Sequence, residues 1–476
     1  MDQQHMDRLS SVDVSFLTNE SASSHMHVGG ILIFEGPPPS YEDLLDHIRG
    51  RLHLVPRFRQ KLAHPPAQTG RPFWVDDPNF NLEYHVRHSA LPAPGSEEQL
   101  RKMSARVFSQ QLDRTKPLWE LWLVQGLTRK RFALITKTHH ALVDGVSGVD
   151  IATVLFDAKP VPEPAEPDHD WVADREPSSA TLAAKGLEGL LATPLRLARR
   201  LEHAIQHPQA AVRQLAEAAE GVGEIGWAFA NPAPKVPLNA DIGSHRRFTW
   251  VRSDLAQMKR IKNELGGTVN DVVLAVVAGA IRDWLHGRGI RTEGLELRAQ
   301  VPVSIRAEGE RGQLGNRLAV MRAPLPVYIA DPVRRLKAVT RAMQGLKQSK
   351  QALGAEVITR FNDFAPPTLL AQAARINFST RLFNLVVTNV PGPQMPLYVL
   401  GRELEDIFPV GFLPPHQALF VAIMSYNGGV NFGLLADYDS MDDVEVIAQA
   451  IERSIAELAD AAEAAEQEPE PAPAAG

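Results

Sequence analysis

Two proline-rich interruptions do most to limit what this chain can fold into. Pro160, Pro162, Pro164, Pro167 and Pro177 punctuate the stretch from Lys159 to Pro177, and Pro232, Pro234 and Pro237 form a second cluster. Proline has no backbone N–H and clashes with a preceding helical turn, so neither a helix interior nor a central strand runs through such stretches. The interruptions separate an N-terminal domain (1–158), a Pro-rich and helical linker (159–240) and a C-terminal domain (241–460). Residues 461–476, mostly Ala, Glu and Pro, read as a disordered tail. At 476 residues the chain is long enough for two domains with their own cores. No tandem repeat is visible, and both halves mix strand and helix patterns.

In the first half one short stretch concentrates chemistry. Phe132 to Thr138 alternates apolar and β-branched residues at period two, which predicts a strand, and His139-His140-Ala-Leu-Val-Asp144-Gly145 follows directly. Val149 to Phe156 is an apolar run that predicts a helix beyond the glycines. The histidines therefore sit at a strand end, in a tight connection pinned by Gly145. An imidazole titrates closest to neutral pH, and a carboxylate four residues on, Asp144, suits a general base of fixed geometry. A structural histidine and a metal ligand are the competing readings. Neighbouring residues of an extended chain point to opposite sides, so His139 and His140 do not share one ion, and no HExxH pattern or Cys completes a shell. The base is the preferred reading, and no metal is expected.

The same residues carry a resemblance. His139-His140-x-x-x-Asp144-Gly145 resembles the HHxxxDG motif of the CoA-dependent acyltransferases, a superfamily that includes the condensation domains of peptide synthetases. Pro117-Leu118-Trp119-Glu120, Met26-His27-Val28-Gly29-Gly30, Thr268-Val269-Asn270-Asp271-Val272 and Asn389-Val390-Pro391-Gly392-Pro393 resemble one branch of it, the bacterial wax ester synthase/acyl-CoA:diacylglycerol acyltransferase family. The matches run in the family's order from about Leu9 to about Leu458. The resemblance implies two similar α/β domains of chloramphenicol-acetyltransferase type, with mixed sheets, facing each other across an active-site channel. It implies acyl-CoA as co-substrate, no resident cofactor, and diacylglycerol or a long-chain alcohol as acceptor. His140 would be the base, with His139, Asp144 and Gly145 shaping the turn. Asn270 would donate to the oxyanion, and Trp119, Asp271 and Asn389 would contact substrate. Asp144 is expected to hold the loop by pairing with an arginine of the other domain, with Arg306 as the candidate.

Composition narrows the alternatives. A net charge of −6 gives no reason to expect nucleic-acid binding, and with no Cys neither a disulfide framework nor a thiol nucleophile is available. Hydrophobic residues at 44% and charged residues at 22% describe a globular protein, and no window reaches the roughly 18 apolar residues of a spanning helix. Residues Met1 to Ser11 hold no apolar core of signal-peptide type. The expected location is cytoplasmic, in peripheral contact with the inner membrane or a lipid droplet. Thr181 to Ala230, rich in Ala, Leu, Arg and Glu with basic residues at Arg196, Arg199 and Arg200, is either an interdomain brace or the surface that touches lipid. Two other functions stay open on residues alone: a condensation-type transferase using a carrier-bound donor, and a non-catalytic lipid-droplet relative.

Further elements are legible locally. His27 to Phe34 predicts a buried strand, Glu42 to Leu54 and Glu97 to Gln111 predict helices, and Phe73–Val75, Tyr84–Val86 and Leu121–Gln125 predict strands. Arg57, Arg59 and Lys61 read as a solvated basic face, or less favourably as a phosphate contact. In the second half Arg247–Val251, Glu296–Ile305 and Leu382–Val390 predict strands. Ser253 is placed as the cap of a helix ending near Leu265. Thr268-x-x-Asp271 predicts a capping box opening a helix from Val269 to His286, a purely structural alternative for Asp271. Asn427-Gly428 predicts a tight hairpin, and Asp442 to Leu458 the last helix.

Overall fold

The structure, a computed structural model, describes residues 6–68, 70–143, 155–161, 171–188, 230–304, 318–348 and 379–467. In the first half β1 (Asp7–Arg8), α1 (Ser11–Asn19), β2 (His27–Phe34), α2 (Tyr41–Arg49), β3 (Gln60–Ala63), β4 (Phe73–Asp76), α3 (Leu82–His85), β5 (Val86–Ala90), α4 (Glu97–Phe108), β6 (Trp119–Leu127), β7 (Arg131–His139) and α5 (His140–Val143) follow one another. The second half runs through β8 (Arg246–Asp254), α6 (Leu255–Leu265), α7 (Val269–Gly287), β9 (Leu297–Ser304), β10 (Leu318–Leu325) and α8 (Pro332–Gln348). It continues with β11 (Leu385–Pro391), β12 (Tyr398–Val399), β13 (Arg402–Val410), β14 (Leu419–Tyr426), β15 (Gly429–Asp437) and α9 (Val444–Gln467).

Each half is built on a mixed six-stranded sheet, ordered β12-β13-β2-β7-β6-β5 and β10-β9-β11-β14-β15-β8. The first contains strands from both halves. β13 leaves the C-terminal half and pairs antiparallel with β2, from Leu404 opposite Phe34 to Val410 opposite Gly29. In passing it crosses β15 so closely that a Cβ at Gly433 would lie 1.9 Å from Pro409 O. A core layer spans the two halves: Ile31, Ile33, Ile135 and Phe108 of the first pack with Phe248, Trp250, Phe408 and Phe420 of the second. The fold is therefore α/β with two mixed-sheet domains, as expected, but residues 398–410 of the second are a structural part of the first.

Local chemistry explains where several elements begin. Thr268 and Asp271 form a reciprocal capping box at α7, which runs to Gly287 and is buried from Asp271 to Ile281 by the second sheet and by α9. Asn427 (φ 42°) and Gly428 (φ 85°) join β14 to β15, the two positive φ values that a two-residue hairpin turn needs. Four expectations are corrected. Tyr84 and His85 belong to α3, because Asn81 Oδ1 accepts the Glu83 N–H and starts a helical turn. Asp254, not Ser253, caps α6; Ser253 still lies in β8 and donates to Val430 O at 2.7 Å. The helix expected to run from Glu42 to Leu54 ends at Arg49, closed by Gly50. Residues 461–467 continue α9 instead of starting the tail, since Ala462 is buried and this Ala- and Glu-rich stretch favours helix.

No single helix among the described residues is long and apolar enough to cross a membrane. α6 and α7 qualify only as a pair, and they meet at 96°. Arg196, Arg199 and Arg200 lie outside the described residues, as does the helix expected from Val149 to Phe156 apart from its last two residues.

Candidate active site at the end of β7

β7 is the second central strand of the N-terminal sheet, buried along its whole length, and its register with β2 sets His139 opposite His27. Three of the sequence motifs meet here through backbone hydrogen bonds. The His139 N–H donates to Leu118 O at 2.9 Å, and the His140 N–H donates to Met26 O at 2.8 Å. Gly29 permits the close pairing behind them, because a Cβ there would lie 1.9 Å from Thr136 O. The turn into α5 is thus gripped from both neighbouring strands before any side chain is considered.

The two imidazoles enter different surroundings. His140 is half-buried, stacked on Phe16 of α1 with ring centroids 3.9 Å apart, while Phe412, just past β13, meets it edge-on at 5.8 Å. Residues of both halves therefore touch its ring, and the junction is closed nearby by Ser24 Oγ donating to Leu413 O at 2.7 Å. His139 is 1% exposed and turns the other way, into a polar cluster. Its Nδ1 accepts the Ala141 N–H at 3.1 Å, and its Nε2 lies 3.6 Å from Glu20 Oε2. Glu20 also faces His27 Nε2 at 3.4 Å and accepts from Arg114 Nε at 2.6 Å.

Burial shapes the charges of this cluster. It pushes the His27 imidazole down to about 3, against the opposing pull of Glu20, so His27 is neutral at ordinary pH. Burial alone would raise the Glu20 carboxyl; the facing His139 and His27 rings and the Arg114 charge outweigh it and hold the group far below the carboxylate range. Lys137, two residues before His139 on β7, is fully buried, and burial lowers it to about 8. Its ammonium donates to Val107 O at 3.0 Å and Gln110 O at 2.6 Å, which ties the strand to the end of α4.

The remaining sequence candidates are spread more widely. Asp144 and Gly145, with Arg306, lie outside the described residues. Trp119 is 1% exposed; its indole N–H donates to Phe58 O at 2.8 Å and its ring stacks on His85 at 4.7 Å. Its ring and N–H thus pack in the N-terminal core, the structural alternative to a substrate contact for a tryptophan at this position. Asn270 is half-buried at the second position of α7, in the helical layer of the C-terminal half. Asp271 is 2% exposed, and its Oδ2 accepts the Thr268 N–H at 2.8 Å, a capping role whether or not it also meets substrate. Asn389 lies on β11 opposite Ile423, on the strand face that Leu385 and Val387 turn to the second core. Arg57 pairs with Asp7 at 2.9 Å, Arg59 lies 4.3 Å over Trp171, and Lys61 meets Glu176 at 3.3 Å, so the expected solvated face is a set of local contacts.

Phe16, Glu20, Arg114 and Phe412 are site residues that the sequence reading did not select. The one available signal was the four-residue spacing of Phe16 and Glu20 on a short helix. Among the described residues no group of three His, Cys, Asp or Glu is arranged to hold a metal ion.

Two mixed sheets joined by a crossing strand, with a His-His turn at their junction, define the architecture of the CoA-dependent acyltransferases. The first condensation domain of the calcium-dependent antibiotic synthetase shares the fold at a TM-score of 0.55 and 14% identity, covering 96% of each chain. The wax ester synthase/diacylglycerol acyltransferase from Marinobacter aquaeolei VT8 superposes at a TM-score of 0.69 with 29% identity, over 96% of this chain and 100% of that one. Residues 9–273 match the wax ester synthase/diacylglycerol acyltransferase catalytic domain, and residues 314–459 match the C-terminal domain of the same family. Two proteins of Mycobacterium tuberculosis named as probable diacylglycerol O-acyltransferases are also similar. Tgs1 is 33% identical, over 95% of this chain and 96% of its own, and tgs2 is 32% identical, over 95% and 99%. The chain belongs to the wax ester synthase/diacylglycerol acyltransferase family.

Proposed function

We propose that this protein is an O-acyltransferase that moves a long-chain acyl group from acyl-CoA to diacylglycerol, to a long-chain alcohol, or to both. Membership of the family supports the reaction class, and the surroundings of His140 support its assignment as the base. It is the histidine of the pair that is half-buried at the junction of the halves, whereas His139 is committed to Glu20 and the Ala141 N–H. In the reaction His140 takes the acceptor's hydroxyl proton as the oxygen attacks the thioester carbonyl. The tetrahedral oxyanion then collapses, the C–S bond breaks, and the imidazolium returns the proton to the departing CoA thiolate. The alcohol is itself the nucleophile, so no acyl-enzyme is needed.

Asn270 is the proposed oxyanion donor, at a helix N-terminus where the dipole favours negative charge. Losing such a donor costs about 3 kcal/mol of barrier. Asp144 and Gly145 are proposed to shape the loop after α5, and Asp271 and Asn389 to bear on the substrate path. Peripheral contact with a membrane or lipid-droplet surface, on the cytoplasmic side, is part of the proposal because donor and acceptor are both lipids.

Purified protein incubated with one acyl-CoA and a panel of diacylglycerols and alcohols tests the reading. Ester and free CoA formed in equal amounts, and lost in His140→Ala, are expected. Activity only with a carrier-bound acyl donor, or none with any donor, would overturn it.

A further inference from the structure

The last turn of α1 touches both histidines of the motif, and the proposed chemistry gives it no part. Phe16 and Glu20 are four residues apart, and Glu20 closes the helix by donating its N–H to Phe16 O at 3.1 Å, so the two project from one side. Phe16 lies flat on the His140 ring, and Glu20 faces the Nε2 atoms of His27 and His139. Building on the reading of His140 as the base, we propose that Glu20 is a positioning residue for acyl transfer, acting through His139 to hold the turn that presents His140.

His139 is held in a single tautomer. A neutral imidazole has one donor and one acceptor nitrogen. Nδ1 accepts the Ala141 N–H, so the proton is on Nε2, which faces the Glu20 carboxylate. In the other tautomer Nδ1–H would point at the Ala141 N–H, and the Nε2 lone pair would point at a carboxylate. Both contacts would turn repulsive together. An anionic Glu20 therefore selects the one form of His139 that can anchor the first backbone N–H beyond His140. Arg114 donates to Oε2, the same carboxylate oxygen that His139 faces, and is itself fixed by donating to Leu17 O at 2.7 Å. The chain from Arg114 through Glu20 and His139 to Ala141 ends one residue from the base.

The test is acyl transfer by the full-length enzyme, with the acyl-CoA and acceptor that the parent turns over. Glu20→Gln keeps the shape and removes the charge, and kcat should fall about tenfold to a hundredfold while KM for acyl-CoA is unchanged. His139→Asn puts an oxygen where Nδ1 stands, and should recover most of the rate lost in His139→Ala. Because the effect of Glu20 runs through His139, adding Glu20→Gln to His139→Asn should slow the enzyme no further. Arg114 is more open to solvent, so Arg114→Gln offers the same test without a buried change: a smaller fall in kcat, restored by Arg114→Lys. A soluble Glu20→Gln enzyme with parental kcat, or losses that multiply in the double variant, would overturn the proposal. If Glu20→Gln does not fold, a parental kcat in Arg114→Gln would do so. Parental activity in His140→Ala would instead remove the base itself, so the two failures are distinguishable.

Discussion

His139 and His140 share a peptide bond and almost nothing else, and the difference predicts how their variants behave. His140→Ala should lower turnover by roughly two orders of magnitude or more, the scale of general base catalysis, with soluble yield unchanged. A parental rate would remove the mechanism. His139→Ala should cost both rate and melting temperature, since it vacates a site that is 1% exposed and leaves Glu20 facing a gap. Buried histidines also set the acid limit of stability. Burial lowers the His85 imidazole to about 4 and His27 to about 3, against an ordinary value of 6.5. In the unfolded chain these rings gain a proton near 6.5, while in the folded protein they resist it until about 4 and about 3. Between those values unfolding takes up protons, so stability falls as the pH is lowered from about 6.5. The melting temperature should decline steadily across that window. It should decline less steeply in His85→Asn, which keeps a donor towards Trp119 O. Equal slopes for parent and variant would take His85 out of the account.

At the scale of elements, α7 and β13 show two ways in which a segment is held. α7 begins with a capping box that local sequence specifies, and its middle is then buried on all sides. Asp271→Ala removes one half of the reciprocal pair and should cost about 1 kcal/mol in chemical denaturation, within the usual range for a lost cap. Asp271→Asn should recover part of that loss. If the variant loses activity while its denaturation midpoint stays put, Asp271 acts on substrate rather than on the helix. β13 has no such local signature. It is kept in place by its ladder with β2 and by a charged network at its outer edge, where Arg252 of β8 meets both Asp406 at 2.8 Å and Glu97 of α4 at 2.9 Å. Arg131 of β7 completes the network, reaching Glu97 and Glu405 at 3.1 Å each. Four elements from both halves are joined at that corner.

For the whole molecule, the crossing strand means that the two halves are not separable folding units. Residues 1–240 expressed alone would lack β12 and β13 and leave the edge of β2 unpaired, an invitation to aggregation. This fragment is expected to be insoluble or to melt without cooperativity, and supplying residues 241–476 in the same cell should rescue it. A cooperative, soluble 1–240 fragment would contradict the account. The lipid surface is a second question at this scale. Basic side chains near an anionic leaflet contribute about 1 kcal/mol each, so the cluster Arg196, Arg199 and Arg200 would give weak, salt-sensitive attachment. Replacing all three by Glu should reduce sedimentation with anionic vesicles while sparing turnover of short, soluble substrates. Unchanged vesicle binding would make that segment an interdomain brace.

Short-range physics made several parts of this protein readable from its residues. Strand β7 follows from period-two alternation, the β14–β15 hairpin from the positive φ values that Asn427 and Gly428 tolerate, and the start of α7 from Thr268 and Asp271 reaching each other's N–H groups. The family followed from motifs that are themselves local, and with it came the reaction class. What only the tertiary structure decided depends on residues far apart in the chain. No periodicity in residues 402–410 says that they will join the sheet of the other half, because an antiparallel ladder is chosen by which edge is open when the halves meet. Likewise Glu20, Arg114 and Phe412 look like ordinary surface or core residues until folding gathers them around two neighbouring histidines. A hydrogen-bond partner or a ring contact is a property of a place, and that place exists only after the chain has closed around it.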